Sequence, residues 1–455
     1  MDDTFDARLE EARTALSAQA PQDAFGHLRP VLAYPGASEL AVATQWAEAW
    51  DLFARIAGAL EASALEGAAR NVVKQPTDAE GLYALGFALV DQGLNDVAAT
   101  VLARGHREAP DSVEMLQEWV AALEGMGASA EAVRVLHAVP QLVKDNPFLT
   151  YLLAFNALMT GDLLEPRTCV ARLEARMAEP LEDSEEPPLP LSDLVERLKG
   201  CLARADAIRA VTPLDTRDLR GWHAVITGGL LLHLSPYGRD EGMNGRYAFV
   251  QDSEQNCLEG IHRVAAVLAR IERAVPCVFI LPERDSAILG LATAQVLGLR
   301  AVPWPEGGTD APGLVVAYDV SHLEGSLLEQ LHAHRPGQVL WSHACPWTEA
   351  PPFAPDLVTL LYQVNVSPWA QRLVLSPDGQ QPERAPAEEG SEASLAERLA
   401  SRTRTDEALA DLPELGELAS ALAMQEGSGV AGLFRENGRR RRQFTDSPVK
   451  SNRFA

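Results

Sequence analysis

Residues 79–111, AEGLYALGFALVDQGLNDVAATVLARGHREAPD, predict two helices joined by a tight turn. Gly93 relaxes the turn between the helices, Ala98 lets them pack closely, and Pro110 marks the boundary of the pair. A segment of this kind cannot bury its apolar face alone, so we expect neighbours of the same design.

The neighbours follow at a spacing of 34 residues. Small residues and prolines coincide when residues 79–112 are aligned with the segments around them: Gly93, Gly127 and Gly161; Ala64, Ala98 and Ala132; Pro76 and Pro110. A fixed period of this length is typical of repeat architectures. The sequence therefore predicts an N-terminal helical-repeat solenoid of three to five helix pairs over residues 1–178.

The best copy resembles the tetratricopeptide repeat family at Leu82, Leu85, Gly86, Leu89, Gly93, Ala98, Leu102, Gly105 and Pro110. The resemblance implies a groove lined by the first helix of each pair, in which another protein or peptide binds. The aromatic and polar positions that it assigns to this partner groove are Tyr83, Phe87, Gln117, Phe148, Tyr151 and Phe155.

A connecting helix is predicted at 191–211, LSDLVERLKGCLARADAIRAV, after an acidic, proline-rich linker at 179–190. This helix offers an alternative occupant for the groove, because periodicity shows which face is apolar but not what covers it. Both possibilities remain open at this point. With either occupant, the repeats form an interaction module.

Residues 212–375 alternate short apolar runs with helices of ten or more residues. This alternation predicts an α/β domain with a mainly parallel sheet covered on both faces. Beyond it, the composition predicts a disordered linker at 376–393, a helix at 394–425 and a basic flexible tail at 426–455.

The stretch YDVSHLEGS, 318–326, and the earlier PERDS loop resemble the type I phosphoribosyltransferase fold. The resemblance implies a site for a phosphorylated ribose or nucleotide, with Mg²⁺, at Arg284, Ser286, Asp319, Gly325 and Ser326. Tyr318 replaces the first of two expected carboxylates, and Glu324 puts a negative charge where a phosphate would bind. We therefore expect a retained fold without catalysis, and a small-ligand enzyme or sensor as the alternative.

Four histidines and a cysteine, His322, His332, His334, His343 and Cys345, crowd into 24 residues. His332 and His334 are two apart at a helix end and point in different directions, so they do not make a metal-binding pair. The prediction is no metal and no cofactor. No common nucleotide, hydrolase or zinc-protease motif is present in the sequence.

The formal charge of −25 argues against nucleic acid and anionic membranes as partners, although seven basic residues lie from Arg435 onward. Five scattered cysteines predict buried thiols in a reducing compartment, and the acidic start of the chain and the absence of a long apolar run predict a cytoplasmic protein. We expect a scaffold or interaction protein, with an enzyme or ligand sensor as the alternative.

Overall fold

The structure is a computed structural model. It describes residues 2–35, 43–178, 191–236, 242–349, 351–376, 381–405, 409–424, 438–443 and 447–451. The chain divides into two compact units, Met1–Leu191 and Ser192–Ala455. The predicted linker at 179–190 lies outside the described residues. Within the described ranges, no helix has both the length and the apolar character needed to cross a bilayer.

The described secondary structure of the first unit is helical, as predicted. Its helices are α1 (Asp2–Ser17), α2 (Pro21–Leu32), α3 (Ala43–Ala59), α4 (Ser63–Lys74), α5 (Ala79–Asp91), α6 (Asn95–Glu108), α7 (Val113–Gly125), α8 (Ser129–His137), α9 (Pro140–Asp145), α10 (Pro147–Met159) and α11 (Leu164–Met177). Consecutive helices pack on one another, with α9 as a short addition after α8.

The 34-residue spacing appears in the structure as equivalent helix starts. Asp78, Ser112 and Asn146 each precede a helix, and each side chain accepts a hydrogen bond from a backbone amide in its first turn. Such caps satisfy amides that have no partner inside the helix. The repeated spacing therefore places α5, α7 and α10 at matching positions along the chain.

The repeated glycines occupy the turns that follow these helices. Gly93, Gly127 and Gly161 have φ of 71°, 67° and 89°, in the left-handed region that glycine adopts without steric cost. A glycine is needed at position 86 for a different reason, because a Cβ there would lie 2.4 Å from the Leu102 side chain. Helices α5 and α6 thus approach too closely for any larger residue.

The second unit combines helices and strands, as predicted. Its helices are α12 (Leu191–Ile208), α13 (Leu219–Thr227), α14 (Glu254–Arg270), α15 (Arg284–Leu297), α16 (Gly325–Leu331), α17 (Glu392–Ala400) and α18 (Leu412–Ala423). Its strands are β1 (Leu230–Leu231), β2 (Tyr247–Gln251), β3 (Cys277–Ile280), β4 (Arg300–Pro303), β5 (Gly313–Asp319), β6 (Gln338–Pro346), β7 (Leu357–Val366), β8 (Arg372–Leu375) and β9 (Pro382–Ala385).

The main sheet has seven strands in the order β1-β7-β6-β5-β3-β4, with β2 also paired to β7. Every pairing in this sheet is parallel, which confirms the predicted mainly parallel sheet. Strands β1 and β2 pair with successive parts of β7, through Leu230 opposite Leu357 and Tyr247 opposite Tyr362.

Strand β5 is buried along its whole length. Val315 and Ala317 pack in one apolar cluster with Leu327 and Leu331 of α16. Because side chains alternate along a strand, Tyr318 points to the opposite face, on which α15 packs. Burial on both faces explains why this segment is an almost unbroken apolar run.

The segments after the sheet are more ordered than the composition indicates. The region 376–393, expected to be disordered, contributes β9, which pairs with β8 in an antiparallel hairpin. The single helix expected at 394–425 is two helices, α17 and α18. At the other end of the unit, Arg204 of α12 donates to the carbonyls of Ala224 and Val225, so the connecting helix packs within the second unit.

The described parts of the basic tail, 438–443 and 447–451, are also held by the second unit. Arg440 is 4% exposed, and its Nε donates to the Leu331 carbonyl at 2.9 Å. Arg246 donates to the carbonyl of Val449 and to the hydroxyl of Ser447, both at 3.0 Å. The expectation of a flexible tail at 426–455 does not hold for these residues, and 426–437 lie outside the described part.

Candidate functional site

The carboxyl ends of neighbouring parallel strands bring polar side chains together in the second unit. Tyr318 and Asp319 end β5, His343 lies near the end of β6, and Asp252 directly follows β2. This edge is where open parallel sheets bind their ligands. All four residues are buried, so their polar groups depend on hydrogen-bond partners inside the chain.

Tyr318 belongs to a group that we call the Asp252 cluster: Asp252, Cys257, Tyr318 and His343. Asp252 Oδ2 accepts from the Tyr318 hydroxyl at 2.9 Å and lies 3.0 Å from His343 Nε2 and 3.5 Å from Cys257 Sγ. Cys257 Sγ is 3.8 Å from His343 Nε2. One carboxylate oxygen is therefore the common partner of a phenol, an imidazole and a thiol.

Local structure explains how Asp252 and Cys257 reach the same place. Ser253 caps α14 by accepting a hydrogen bond from the Asn256 amide, which fixes the turn between β2 and α14. Cys257 lies in the first turns of that helix. On the other side, Asn256 Nδ2 donates to Asp252 Oδ1 at 3.1 Å, so both oxygens of the carboxylate are engaged.

The electrostatics of the cluster follow from burial and from the carboxylate. Burial alone would raise the pKa of Asp252, but the proximity and hydrogen bond of His343, with hydrogen bonds from the Ser253 amide and Tyr318, outweigh it and lower the pKa. Burial first, and Asp252 second, raise the pKa values of Cys257 and Tyr318 well above their usual range. At neutral pH the thiol and the phenol are protonated donors, and Cys257 is not an activated nucleophile.

Asp319 lies at the centre of a second buried group. Its Oδ2 accepts from the Tyr362 hydroxyl at 2.5 Å, and its Oδ1 accepts from the amide and the hydroxyl of Ser321 at 2.9 and 2.6 Å. Burial, followed by the Asp319 charge and this hydrogen bond, raises the pKa of Tyr362. Asp319 thus caps a short 3-10 turn at 320–322, and its oxygens are used within the chain.

The other predicted anion-binding residues do not converge with Asp319 on an open cradle. Glu283 accepts from the amides of Asp285 and Ser286, so a carboxylate of the chain itself occupies the start of α15. Ser286 is buried, and its hydroxyl accepts from the Tyr318 amide. Arg284 donates to the carbonyl of Glu388 at 2.6 Å.

Gly325 and Ser326 are exposed and begin the seven-residue helix α16, whose preceding residue Glu324 is also exposed. A negatively charged side chain at this position opposes an anion near the exposed amides. Within 318–326, the side chains of Tyr318, Asp319 and Ser321 bond to other groups of this chain.

A segment after the sheet covers the Asp252 cluster. Trp369 is fully buried and packs edge-on against the Tyr318 ring at a centroid distance of 5.9 Å. Its indole Nε1 donates to Glu254 at 3.4 Å, and Glu254 is in turn paired with Arg398 and Arg402 at 2.6 and 2.7 Å. Chain after β7 therefore closes the edge of the sheet where a ligand would otherwise enter.

The predicted partner groove of the first unit is partly exposed. Tyr83 and Phe87 of α5 stack at a centroid distance of 6.3 Å, and Phe87 is 52% exposed. The equivalent residues of α10, Tyr151 and Phe155, also stack, and Phe148 extends the row. Tyr151 and Phe155 are buried, at 4% and 8% exposure, and Gln117 of α7 is half-buried. The exposed aromatic surface therefore centres on α5.

Sequence reasoning missed Asp252 and Cys257 altogether and considered His343 with other partners. A signal was present, because Asp252 lies two residues after the apolar run YAFV and two residues before α14. A carboxylate in that place lies at the carboxyl edge of a parallel sheet. The spatial partners of His343 depend on strand order, which the sequence does not show.

Comparison with known proteins does not assign this chain to a family. No family model matches the chain. A search of the curated proteins likewise returns no match.

Proposed function

We propose that the first unit is a protein-interaction module and that the chain acts as a scaffold. The observation that carries this proposal is the aromatic pair of α5, in which Phe87 is exposed and Tyr83 is half-buried. Phe87 leaves about half of its side chain in contact with water although it belongs to a well-packed helix pair. The tetratricopeptide resemblance supports the same face, because it assigns both Tyr83 and Phe87 to the partner groove.

The charges around this pair define the chemistry of the partner. Burial first, and then the charges of Glu118 and Glu114 on α7, raise the pKa of Tyr83. Glu80 and Glu114 are exposed. An aromatic surface with acidic neighbours favours a segment that offers an apolar anchor flanked by Lys or Arg. The partner we propose is a basic amphipathic peptide or helix.

The test measures binding of such peptides to the full chain. Helical peptides selected against the full-length protein from a randomised library should carry an apolar residue beside basic residues. The double variant Tyr83→Asp with Phe87→Asp should bind them at least about tenfold more weakly, because burial of one aromatic side chain supplies about 1.5–3 kcal/mol. Tyr151 is unsuitable for this test because it is buried, and a charge there would damage the fold.

The matched control is Leu164→Asp, which places the same charge at another exposed apolar residue of the first unit. This control should bind the peptides like the unmodified protein, and thermal unfolding should show that all variants fold. Equal loss of affinity in Leu164→Asp, or retained affinity in the double variant, would contradict the proposal.

The small-ligand alternative at 283–286 and 318–326 has less support. The oxygens of Asp319 are used by Tyr362 and Ser321, and Arg284 is held by the backbone of Glu388. A ligand would have to displace these contacts before it could bind. We therefore propose partner binding as the function of the chain.

A further inference from the structure

The side chains of Asp252, Cys257 and His343 offer one oxygen, one sulfur and one nitrogen atom to a common point. These three atoms lie within 4.8 Å of one another. Carboxylate, thiolate and imidazole are the donors that proteins use for Zn²⁺. We propose that this trio binds a divalent metal ion of the zinc class in the second unit, a role that goes beyond the partner binding proposed above.

The distances between the donor atoms fit a tetrahedral ion. With bonds of about 2.3 Å to sulfur and about 2.0–2.1 Å to nitrogen and oxygen, the edges of a tetrahedron are about 3.5 Å for S to O, 3.6 Å for S to N and 3.3 Å for N to O. The corresponding separations here are 3.5, 3.8 and 3.0 Å. An ion would need movements of only a few tenths of an ångström.

The charges also balance. Binding releases the thiol proton of Cys257 to solvent, so a thiolate and the Asp252 carboxylate together offset the two positive charges of the ion, and no electron is transferred. The imidazole binds as a neutral ligand through Nε2 and carries its proton on Nδ1, so the ion replaces the hydrogen bond between Nε2 and Asp252. The high pKa that burial and Asp252 give to the Cys257 thiol in the metal-free chain falls when the ion supplies positive charge.

Neighbouring residues orient the carboxylate as metal sites require. The Tyr318 hydroxyl donates to Oδ2 of Asp252, Asn256 donates to its Oδ1, and Asn365 Nδ2 donates to the Tyr318 oxygen at 3.1 Å. Such contacts fix the rotamer of a ligating side chain. Tyr318 and Asn365 are thus positioning residues, and three protein ligands leave the fourth place of a tetrahedral ion to a non-protein ligand.

Burial determines how the site would be loaded. Cys257 and His343 are fully buried, and Asp252 is 3% exposed. Asp252 and Cys257 lie at the junction of β2 and α14, and His343 lies on β6, so an ion would join two regions whose nearest ligands are 86 positions apart in sequence. Its binding energy would contribute to the folding of the second unit, and it would enter while that unit folds.

The test uses the full chain, unfolded and refolded with Zn²⁺ or Co²⁺. We expect about one ion per chain after removal of free metal. The Co²⁺ form should show a thiolate-to-cobalt charge-transfer absorption, and the Zn²⁺ form should unfold at a higher temperature than a portion refolded with a chelator. Refolded wild-type protein that retains neither ion would overturn the proposal without reference to any variant.

Cys257→Ser and Cys345→Ser form a matched pair, because both thiols are fully buried in the second unit and Cys345 lies on β6 two residues after His343. Cys257→Ser should lose the charge-transfer absorption and most of the bound ion, whereas Cys345→Ser should keep both. Equal loss of the bound ion in the two variants would mean that the ion binds elsewhere or that both variants misfold, and it would also overturn the proposal. Peptide binding to the first unit provides an independent readout, so failure of this test leaves the proposed interaction function unaffected.

Discussion

Replacement of Arg440 by Ala tests whether the basic tail is part of the folded second unit. Its side chain lies 2.5 Å from the carboxylate of Asp356, and both residues are at least 95% buried. Its Nε also donates to the Leu331 carbonyl. Arg440→Ala therefore leaves a carboxylate and a carbonyl without this cation.

The expected loss is large for a single substitution. Removal of one partner from a buried ion pair costs about 3–5 kcal/mol, because the remaining charge stays out of water. Asp356 retains a hydrogen bond from the Leu340 amide at 2.7 Å and lies 3.8 Å from the His334 ring. Because of these contacts we expect a loss of unfolding free energy at the lower end of that range, about 3 kcal/mol. This loss corresponds to a fall of roughly 1–2 M in the urea midpoint.

Urea unfolding of the full chain measures this loss, and hydrogen exchange of peptides from β6 and β7 assigns it to the second unit. The assignment is needed because a chain of two units can unfold in two steps. Arg439→Ala is the control, since Arg439 carries the same charge, precedes Arg440 and is exposed. We expect it to change stability by less than about 0.5 kcal/mol. Equal stability of the two variants would refute the inference that the tail is built into the fold.

Two further predictions concern acid stability and ligand binding. Burial alone would raise the pKa of Asp411, but Arg220 and Arg263, at 2.6 and 2.7 Å, outweigh it and lower the pKa. This carboxylate therefore stabilises the fold above the usual Asp pKa of about 4, and the contribution is lost as pH falls through the lower folded pKa. Asp411→Asn should lower the free energy of unfolding at pH 7 and reduce the further loss of stability in acid. Urea unfolding at several pH values would measure both effects. Phosphoribosyl pyrophosphate with Mg²⁺ should leave the melting temperature of the full chain unchanged at millimolar concentration, because Asp319 is already satisfied within the chain; a rise that disappears in Asp319→Ala would restore the small-ligand alternative.

Local chemistry explains why the sequence alone predicted the helical first half and the parallel sheet. Glycines at 93, 127 and 161 predict turns because glycine adopts the left-handed backbone conformation there without steric cost. The apolar run of β5 predicts a strand because a strand buried on both faces is apolar along most of its length. Each of these signals lies within a few residues of the feature that it predicts.

The candidate site and the tail depended on contacts that the sequence does not show. Asp252 meets His343 across 91 positions of sequence, and that meeting follows from the order of β2, β7, β6 and β5 in the sheet. The composition predicted that the arginines of the tail are solvated, yet Arg440 is buried because its charge pairs with Asp356 inside the second unit. The sequence thus determined the helices of the first unit, the parallel strands of the second and the class of each unit through local steric and apolar patterns. Only the tertiary structure decided which buried charges and polar groups face one another, because that depends on strand order and not on spacing along the chain.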